Sequence, residues 1–279
     1  MYRNLGRRTS LRVTASPRLD VVVISYPKSG RTWLRVLLGK ALCLHYGLGT
    51  ESLLDTPALT AAAGISRTDF SHDGTDPHDG LDYASLSEDK GAYRDKKVIF
   101  LARDVRDILV SSYFEATRRS FLFDANGRSL FGGTLSEFVR SPVFGARKVA
   151  AFYDIWARRQ TVPKDFLLIS YEQLHAAPGE LMLKALRFIG AAEIAQNHIA
   201  EAASFANFEN MRRLEQSNLF DDPRLQSGDP SDPESYKVRR GVVGGYVDYL
   251  VREDIAHIER ELGLRGFPFT QRTPRQRSD

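Results

Sequence analysis

A short β-branched run that ends in a polar turn and leads directly into a helical pattern constrains the fold most. Residues 21–25 (Val-Val-Val-Ile-Ser) predict a buried strand, and the apolar spacing of residues 32–44 predicts an amphipathic helix. Such a turn presents free backbone N–H groups and the positive end of the helix dipole at one point. Lys28 adds a positive charge there, and Ser29 and Thr32 add hydroxyl donors. The turn therefore predicts a phosphate or sulfate site.

The turn differs from the Walker A loop of nucleotide triphosphatases. In that loop four residues separate a glycine from a Gly-Lys-Ser/Thr triplet, and the Ser/Thr hydroxyl binds magnesium. Here Lys28 precedes Gly30, and no such triplet follows. A metal-dependent nucleotide kinase or hydrolase on the same scaffold is kept as an alternative, because Asp104 follows an apolar strand and could hold magnesium.

The pattern of apolar residues predicts an α/β fold. Four runs read as strands, at residues 20–25, 67–71, 97–102 and 165–170, and helical patterns cover residues 32–44, 104–118, 143–159, 179–189 and 246–262. Alternation of strands and helices predicts right-handed crossovers and a parallel sheet flanked by helices. The 279 residues suffice for one core. We expect a single domain over residues 20–268, with a disordered tail at 269–279.

Composition narrows the class of protein. The formal charge of +4 suits anionic substrates and is too weak to indicate nucleic-acid binding. No apolar stretch approaches the roughly 18 residues of a membrane span. The single cysteine, Cys43, permits no internal disulfide, so we expect a cytoplasmic protein. Residues 1–19 carry five arginines and no acidic residue; they predict a flexible basic tail, with a targeting peptide as the alternative.

Four chemically suggestive residues each follow a predicted strand. Lys28, His72, Arg103 and Tyr171 come after the first, second, third and fourth strands. Ligands of open parallel sheets bind beyond the carboxyl ends of the strands. The spacing alone therefore predicts that these four side chains share one site.

The segment after the third strand predicts a second anion contact. Asp104 can cap the helix that follows, Arg103 projects from the strand end, and Ser111 lies two turns into the helix. A guanidinium fork suits a phosphate group. The alternative is a salt bridge between Arg103 and Asp107 at an ordinary strand-to-helix corner.

Residues 26–33, Tyr-Pro-Lys-Ser-Gly-Arg-Thr-Trp, resemble the 5′-phosphosulfate loop of the sulfotransferases that use 3′-phosphoadenylyl sulfate (PAPS). The usual form of that loop is Tyr-Pro-Lys-Ser-Gly-Thr-Thr-Trp. Arg31 stands in place of the first threonine, so a bulky cation replaces a hydroxyl group. Further motifs resemble the family in the same order over roughly residues 21–266, and the resemblance implies a fold like that of the P-loop proteins.

The resemblance implies the residues that bind the donor. Those near the 5′ end of PAPS are Lys28, Ser29, Gly30, Arg31, Thr32 and Trp33, and those near the 3′-phosphate are Arg103, Ser111, Arg239, Arg240 and Gly241. Tyr171 is expected near adenine and ribose, and Phe208 is expected to stack on adenine opposite Trp33. Ala206-Asn207, Gly245 and Tyr246 depart from the family pattern.

The resemblance also implies the reaction. A sulfonate group passes from PAPS to a hydroxyl or amine of the acceptor, 3′,5′-ADP (PAP) is released, and no metal is needed. Lys28 and a histidine base are the catalytic residues. We expect His72 to be the base, with Asp73 or Asp69 orienting its ring, and His78 is the alternative.

The acceptor is left open by the sequence. Small molecules, carbohydrates, lipids and natural products all remain candidates, and the oligomeric state is not predicted. Residues 53–63 and 114–131 are expected to line the acceptor pocket. Residues 121–134 and 220–235 are candidate walls of it, with an ordinary surface loop as the alternative for each, and 220–235 is expected to be mobile. A protein that binds PAP without catalysis is a further alternative.

Overall fold

The computed structural model describes residues 19–120 and 127–263. Its centre is a sheet of four parallel strands: β1 (Val21–Ser25), β2 (Thr68–Ser71), β3 (Lys97–Ala102) and β4 (Asp165–Ser170). Their order across the sheet is β2-β1-β3-β4. All four predicted strands are confirmed, with bounds that differ by at most one residue. The predicted tails lie outside the described residues, apart from residue 19.

Helices cover both faces of the sheet. In chain order they are α1 (Arg31–Tyr46), α2 (Thr56–Ala62), α3 (Val105–Arg118), α4 (Leu135–Arg140), α5 (Ala146–Arg159), α6 (Tyr171–Ala176), α7 (Pro178–Phe188), α8 (Gln196–Phe205), α9 (Phe208–Gln216) and α10 (Arg252–Gly263). The predicted single α/β domain with a flanked parallel sheet is therefore confirmed. The short helices α2, α4, α6, α8 and α9 were not predicted.

Side chains of each central strand divide between two cores. Val21 and Val23 of β1 pack with α1, α7 and α8 on one face, whereas Val22 and Ile24 pack with α3 and α5 on the other. All four side chains are almost completely buried. This explains the continuous apolar run in the sequence, because a strand covered on both faces has no polar side.

Two helices begin later than their apolar patterns predicted. Helix α5 begins at Ala146 rather than at residue 143, because the Ser141 hydroxyl accepts the N–H groups of Val143 and Phe144 and holds them in a turn. Helix α10 begins at Arg252 rather than at residue 246. The preceding residues form a 3₁₀ turn (Gly245–Asp248).

The segment at 53–63 does not serve as the expected pocket wall. Leu53, Leu54 and Leu59 are buried in the core beside α1. Helix α1 carries Gly39 at this contact, where an added Cβ would lie 2.3 Å from the Leu53 carbonyl oxygen. The close packing of this segment thus depends on a residue without a side chain.

The turn after β2 is anchored by a partly buried carboxylate. Asp73 accepts hydrogen bonds from the Tyr93 hydroxyl at 2.7 Å and from Trp156 Nε1 at 2.8 Å. It also pairs with Lys90 Nζ at 2.7 Å. These three partners come from two segments remote in sequence, and they hold the backbone that carries His72 at the edge of the sheet.

Candidate active site

A cavity of about 420 Å³ lies at the carboxyl ends of the strands. The predicted donor-binding and catalytic residues that line it are Lys28, Gly30, Arg31, Thr32, Trp33, His72, Arg103, Ser111, Tyr171, Phe208, Arg239, Arg240 and Gly241. Ser29 is buried in the turn itself. The predicted convergence on one site is confirmed, since residues from every strand end and from two distant loops share one cavity.

The turn between β1 and α1 requires unusual backbone conformations. Lys28 has a φ of 70° and Gly30 has a φ of 96°. An added Cβ at Gly30 would lie 2.6 Å from Cδ2 of Tyr171. Helix α1 begins immediately afterwards at Arg31, so the N–H groups of its first turn have no acceptors within the helix. These N–H groups lie at the cavity, as the sequence predicted.

Lys28 is held by a carboxylate that the sequence analysis missed. Its Nζ lies 2.5 Å from Oε2 of Glu115, and both side chains are largely buried. Glu115 also pairs with Arg119, and its Oε1 lies 3.6 Å from Lys237 Nζ. Burial by itself would raise the pKa of Glu115, but the charges of Lys237, Lys28 and Arg119 hold that pKa well below its usual range. Glu115 lies one helical turn after Ser111, and this spacing is the signal that could have revealed it.

Arg103 joins the lysine turn to the end of β4. Its Nη1 donates to the Lys28 carbonyl at 3.0 Å, and its guanidinium lies 4.2 Å from the centroid of the Tyr171 ring. The backbone N–H of Arg103 donates to the Tyr153 hydroxyl at 2.9 Å. Among the described residues, the buried Nε of Arg103 has no hydrogen-bond partner. Arg103 therefore has donor capacity left for a ligand.

Asp107 does not form the alternative salt bridge with Arg103. Its carboxylate accepts the N–H groups of Gly244 at 2.7 Å and Tyr246 at 3.0 Å. These contacts explain the late start of α10, because they hold the preceding residues as a loop against α3. They also place Arg240 and Gly241 at the rim of the cavity.

The two arginines of this late loop have acidic partners. Nη1 of Arg239 donates to Glu234 at 2.8 Å and to the Tyr249 hydroxyl at 2.7 Å. Nη1 of Arg240 lies 2.7 Å from Oδ2 of Asp248. The Nε of Arg239 is buried and has no hydrogen-bond partner in the part of the chain that the structure describes.

An aromatic wall closes one end of the cavity. Trp33 donates its Nε1–H to the Ala206 carbonyl at 2.8 Å, and its ring meets Tyr171 edge-on at a centroid distance of 5.6 Å. Phe208 is 39% exposed. An added Cβ at Gly241 would lie 2.5 Å from the Phe208 ring. Flat faces of this kind suit a purine base.

His175 is a second residue that the sequence analysis missed. Its ring lies against Trp33 at a centroid distance of 6.2 Å, and its Nε2 is 3.0 Å from the Gly241 carbonyl oxygen. It therefore connects the aromatic wall to the late loop. Its position one turn after Tyr171 on α6 could have indicated this contact.

His72 has a defined tautomer. Its Nδ1 lies 2.9 Å from the Ser25 carbonyl oxygen, and because a carbonyl can only accept, Nδ1 carries the proton. Nε2 is left with its lone pair. Burial, followed by the charge of Arg31, lowers the pKa of His72 to about 3, so the ring is neutral at pH 7. His78 also lines the cavity, from a short 3₁₀ turn.

The expectation that Asp73 or Asp69 orients the His72 ring is wrong, since Nδ1 binds neither carboxylate. The Asp73 carboxylate is occupied by Tyr93, Trp156 and Lys90. The Ser25 carbonyl, at the end of the neighbouring strand, orients the ring instead. The sequence could not indicate this partner, because every residue has a backbone carbonyl and residue identity does not show which one binds the ring.

Asp104 caps α3, as predicted. Its Oδ1 accepts the Arg106 N–H at 2.9 Å, and its Oδ2 lies 2.5 Å from Arg106 Nη2. The carboxylate that could have mimicked a magnesium ligand is therefore engaged by the helix it begins.

A smaller apolar cavity of about 30 Å³ adjoins the main one. The two cavities share Pro27, Lys28, Pro77 and Glu115. The remaining wall of the smaller cavity is mostly apolar and aromatic, from Tyr26, Ala116, Leu130, Phe138, Val143 and Phe144. Ala116 and Leu130, from the segment at 114–131 that is expected to line the acceptor pocket, lie in this wall, and residues 121–126 lie outside the described residues. Arg224 of the 220–235 segment lines the main cavity.

Comparison with known proteins assigns the family. The model of the sulfotransferase domain family matches residues 18–262. The chain is 24% identical over 244 residues to cytosolic sulfotransferase 13 of Arabidopsis thaliana, covering 83% of this chain and 72% of that protein. It is 24% identical over 271 residues to human sulfotransferase 2A1, covering 87% and 86%.

Solved structures share the fold. A retinol dehydratase in a complex with retinol and PAP aligns with a TM-score of 0.62 at 16% identity, over 91% of this chain and 83% of that chain. Mouse sulfotransferase SULT7A1 complexed with PAP aligns with a TM-score of 0.58 at 18% identity, over 88% and 84%.

The predicted phosphate turn, the parallel sheet and the cavity at its carboxyl edge are typical of an α/β group-transfer enzyme. The chain belongs to the sulfotransferase domain family. The resemblance to the PAPS-dependent sulfotransferases is thereby confirmed, and so is the expected reaction class of sulfonate transfer from PAPS. Within residues 19–120 and 127–263, no helix is long and apolar enough to cross a membrane.

We predict that Glu115→Gln destabilises the protein by about 3–5 kcal/mol, because it leaves buried Lys28, Lys237 and Arg119 without their carboxylate. The free energy of unfolding in urea, measured at pH 7, checks this. Glu115→Asp retains the charge and should recover part of the loss. Equal stabilities of Glu115→Gln and the unaltered protein would contradict the proposed balance of charges.

Proposed function

We propose that the protein transfers the sulfonate of PAPS to a hydroxyl or amine of a small acceptor at the main cavity and releases PAP. The observation that carries the proposal is that this cavity brings together the Lys28 turn, the Arg103 guanidinium and a neutral His72 with a free Nε2 lone pair. The relatives named as cytosolic sulfotransferases support a cytoplasmic location for the same activity.

The donor fits the groups present in the cavity. The N–H groups at the start of α1, together with Lys28, Ser29 and Thr32, would hold its 5′ end. Arg103 and Arg239 each retain a buried Nε without a partner among the described residues, as a site for the 3′-phosphate requires. Ser111, Arg240 and Gly241 line the cavity beside them. PAP in the solved relatives supports this assignment.

The adenine would lie against the aromatic wall of Trp33, Tyr171 and Phe208. Phe208 is exposed in this structure and has a free face at the cavity. Arg31 extends the cavity wall beyond the lysine turn. The cavity volume of about 420 Å³ is in the range usual for cofactor-sized ligands.

His72 would accept the proton of the acceptor at Nε2. The hydrogen bond from Nδ1 to the Ser25 carbonyl holds the ring in the tautomer that a base requires. The low pKa of His72 keeps the ring unprotonated before the donor binds. The negative charge of bound donor would raise this pKa and make the ring a better proton acceptor.

The donor supplies a sulfonate that is already activated as an anhydride with phosphate. Lys28 and the first N–H groups of α1 would stabilise the charge that develops on the leaving phosphate. To do so, the Lys28 ammonium must share or leave its contact with Glu115. Glu115 would thus keep the ammonium in place until an anion arrives.

The acceptor would approach where the two cavities meet, beside Lys28 and Pro77. The smaller cavity, at about 30 Å³, has room only for a methyl-sized group, and its apolar wall, formed in part by Leu130 and Phe138, suits an apolar edge of an acceptor seated in the main cavity. The solved retinol dehydratase complexes contain retinol and androsterone, both largely apolar, which supports a partly apolar acceptor here.

We predict that His72→Gln and Lys28→Ala each lower turnover by roughly 10²- to 10⁴-fold, because one removes the base and the other a stabilising charge. Transfer of ³⁵S from labelled PAPS to an acceptor library checks this. His78→Gln is the matched control and should keep most of the activity. Loss of turnover in His78→Gln together with normal turnover in His72→Gln would assign the base to His78. Binding of PAP without transfer to any acceptor would favour a non-catalytic PAP-binding protein.

Arg103→Ala should weaken PAP binding by about 10- to 100-fold, because charge-assisted hydrogen bonds to phosphate are lost. Isothermal titration calorimetry with PAP measures the effect. Arg106→Ala removes a neighbouring guanidinium that is bound to Asp104, and it should leave the affinity almost unchanged. Equal losses in both variants would indicate a general charge effect rather than a phosphate contact.

The lowered pKa of His72 predicts the direction in which protein stability changes with pH. A histidine with a folded-state pKa of about 3 stays neutral in the native protein, whereas the unfolded chain gains its proton near pH 6.5. Its contribution to stability is therefore full above about pH 6.5 and declines as the pH falls toward 3. NMR should show no titration of the His72 ring between about pH 5 and 8. A midpoint near 6.5 in the PAP-free protein would refute the buried, neutral state.

A further inference from the structure

The main cavity carries two arginine side chains, those of Arg31 and Arg35, in addition to the backbone N–H groups of α1 that the proposed donor contacts use. We propose that Arg31 and Arg35 form a second anion site beside His72, which binds a carboxylate, sulfate or phosphate group carried by the acceptor. This inference rests on the proposed function, because it assigns a substrate class to the same site.

The two arginines lie on one face of α1. Arg31 is the first residue of the helix and Arg35 lies one turn later, so their side chains are neighbours. Both line the main cavity together with His72. The Arg35 guanidinium lies 4.2 Å from the centroid of the Phe70 ring, and Phe70 precedes His72 by two residues. The pair is therefore beside the base and not at the aromatic end of the cavity.

The charges of this pair are poorly compensated. Arg35 is only 4% exposed, and its Nε has no hydrogen-bond partner among the described residues. Within the described ranges, neither Arg31 nor Arg35 forms an ion pair. Burial lowers the pKa of Arg31 to about 10, and burial with repulsion from Arg31 and Arg224 lowers that of Arg35 to about 9.

Carboxylates surround the pair without reaching ion-pairing distance. Asp69 and Asp76 act on Arg31, and Asp69 and Asp222 act on Arg35. Asp222 is engaged by Arg224, whose Nε lies 2.9 Å from its oxygens. A buried guanidinium without a direct partner is costly, so this geometry favours an added anion.

The donor does not require this second site. Lys28, the N–H groups of α1, Arg103 and the late loop already provide contacts for both ends of PAPS. At position 31 the usual loop of the family has threonine, so Arg31 adds a charge that the loop does not need for the donor. The charge instead faces the side where His72 would meet the acceptor. An acceptor whose hydroxyl lies near an anionic group matches this arrangement.

Inorganic sulfate is a direct probe of the site. The protein is saturated with PAP and titrated with sodium sulfate by calorimetry, with sodium chloride holding the ionic strength constant. We expect one sulfate to bind, and Arg31→Thr and Arg35→Gln each to weaken it by about tenfold or more, with any loss of PAP affinity clearly smaller than the loss of sulfate affinity. Arg31→Thr tests the inference even where Arg35→Gln reduces folding, because Arg31 is only partly buried.

Sulfate could also bind beside Lys28, where the transferred sulfonate of PAPS is proposed to lie. The Lys28→Ala variant tells these two positions apart. Sulfate binding that survives in Lys28→Ala supports the arginine site. Loss of sulfate binding in Lys28→Ala with retention in Arg35→Gln would overturn it, as would the absence of sulfate binding to the unaltered protein. Equal losses of PAP and sulfate affinity in the arginine variants would assign both residues to the donor.

A final experiment tests whether the site binds an anionic group that is part of the acceptor or only a free inorganic anion. Hydroxy acids and their methyl esters, 4-hydroxybenzoate and mandelate among them, are added to the PAP and sulfate complex. The acids should displace sulfate and the esters should not. Displacement by neither, or by both equally, would overturn the acceptor assignment. Failure of PAP to bind would instead overturn the proposed function, and sulfate titration without PAP would still measure the arginine site.

Discussion

The site depends on how β1 turns into α1. Gly30 can adopt its left-handed conformation against the Tyr171 ring because it has no Cβ. This contact brings the start of α1 to the end of β4, and it places the Lys28 carbonyl within reach of Arg103. A side chain at position 30 would separate the lysine turn from the arginine that faces it. The donor site would then lose the fixed spacing between its two ends.

Charge pairing distinguishes two groups among five of the cations that line the cavity. Lys28, Arg239 and Arg240 are held by carboxylates and can exchange those partners for an anionic ligand. Arg31 and Arg35 have no such partner among the described residues. For Lys28 and Arg239, whose side chains are largely buried, this pairing offsets the repulsion between neighbouring cations. In our proposal, the second group selects the acceptor.

Local sequence patterns were sufficient to predict many of the residues that meet at the proposed donor site. Lys28 and Arg103 were placed together because parallel strands end at one edge of a sheet, and the structure confirms that reasoning. It failed where a residue distant in sequence bound a backbone group or a side chain that local reasoning had placed elsewhere. Asp107 binds amides at positions 244 and 246 and delays the start of α10. Asp73, expected beside the His72 ring, is held by Trp156, so the Ser25 carbonyl orients the ring.

The amino-acid order alone determined the strand sequence, the phosphate-binding turn and the family, because these depend on side-chain patterns within a few residues. The tertiary structure decided the partners of the charged groups. The contact between Lys28 and Glu115 joins residues 87 positions apart, and no local pattern specifies it. Burial also decided the protonation of His72, since the same imidazole in water would titrate near neutral pH. Both outcomes depend on which groups are excluded from water together, and only the folded chain defines that set.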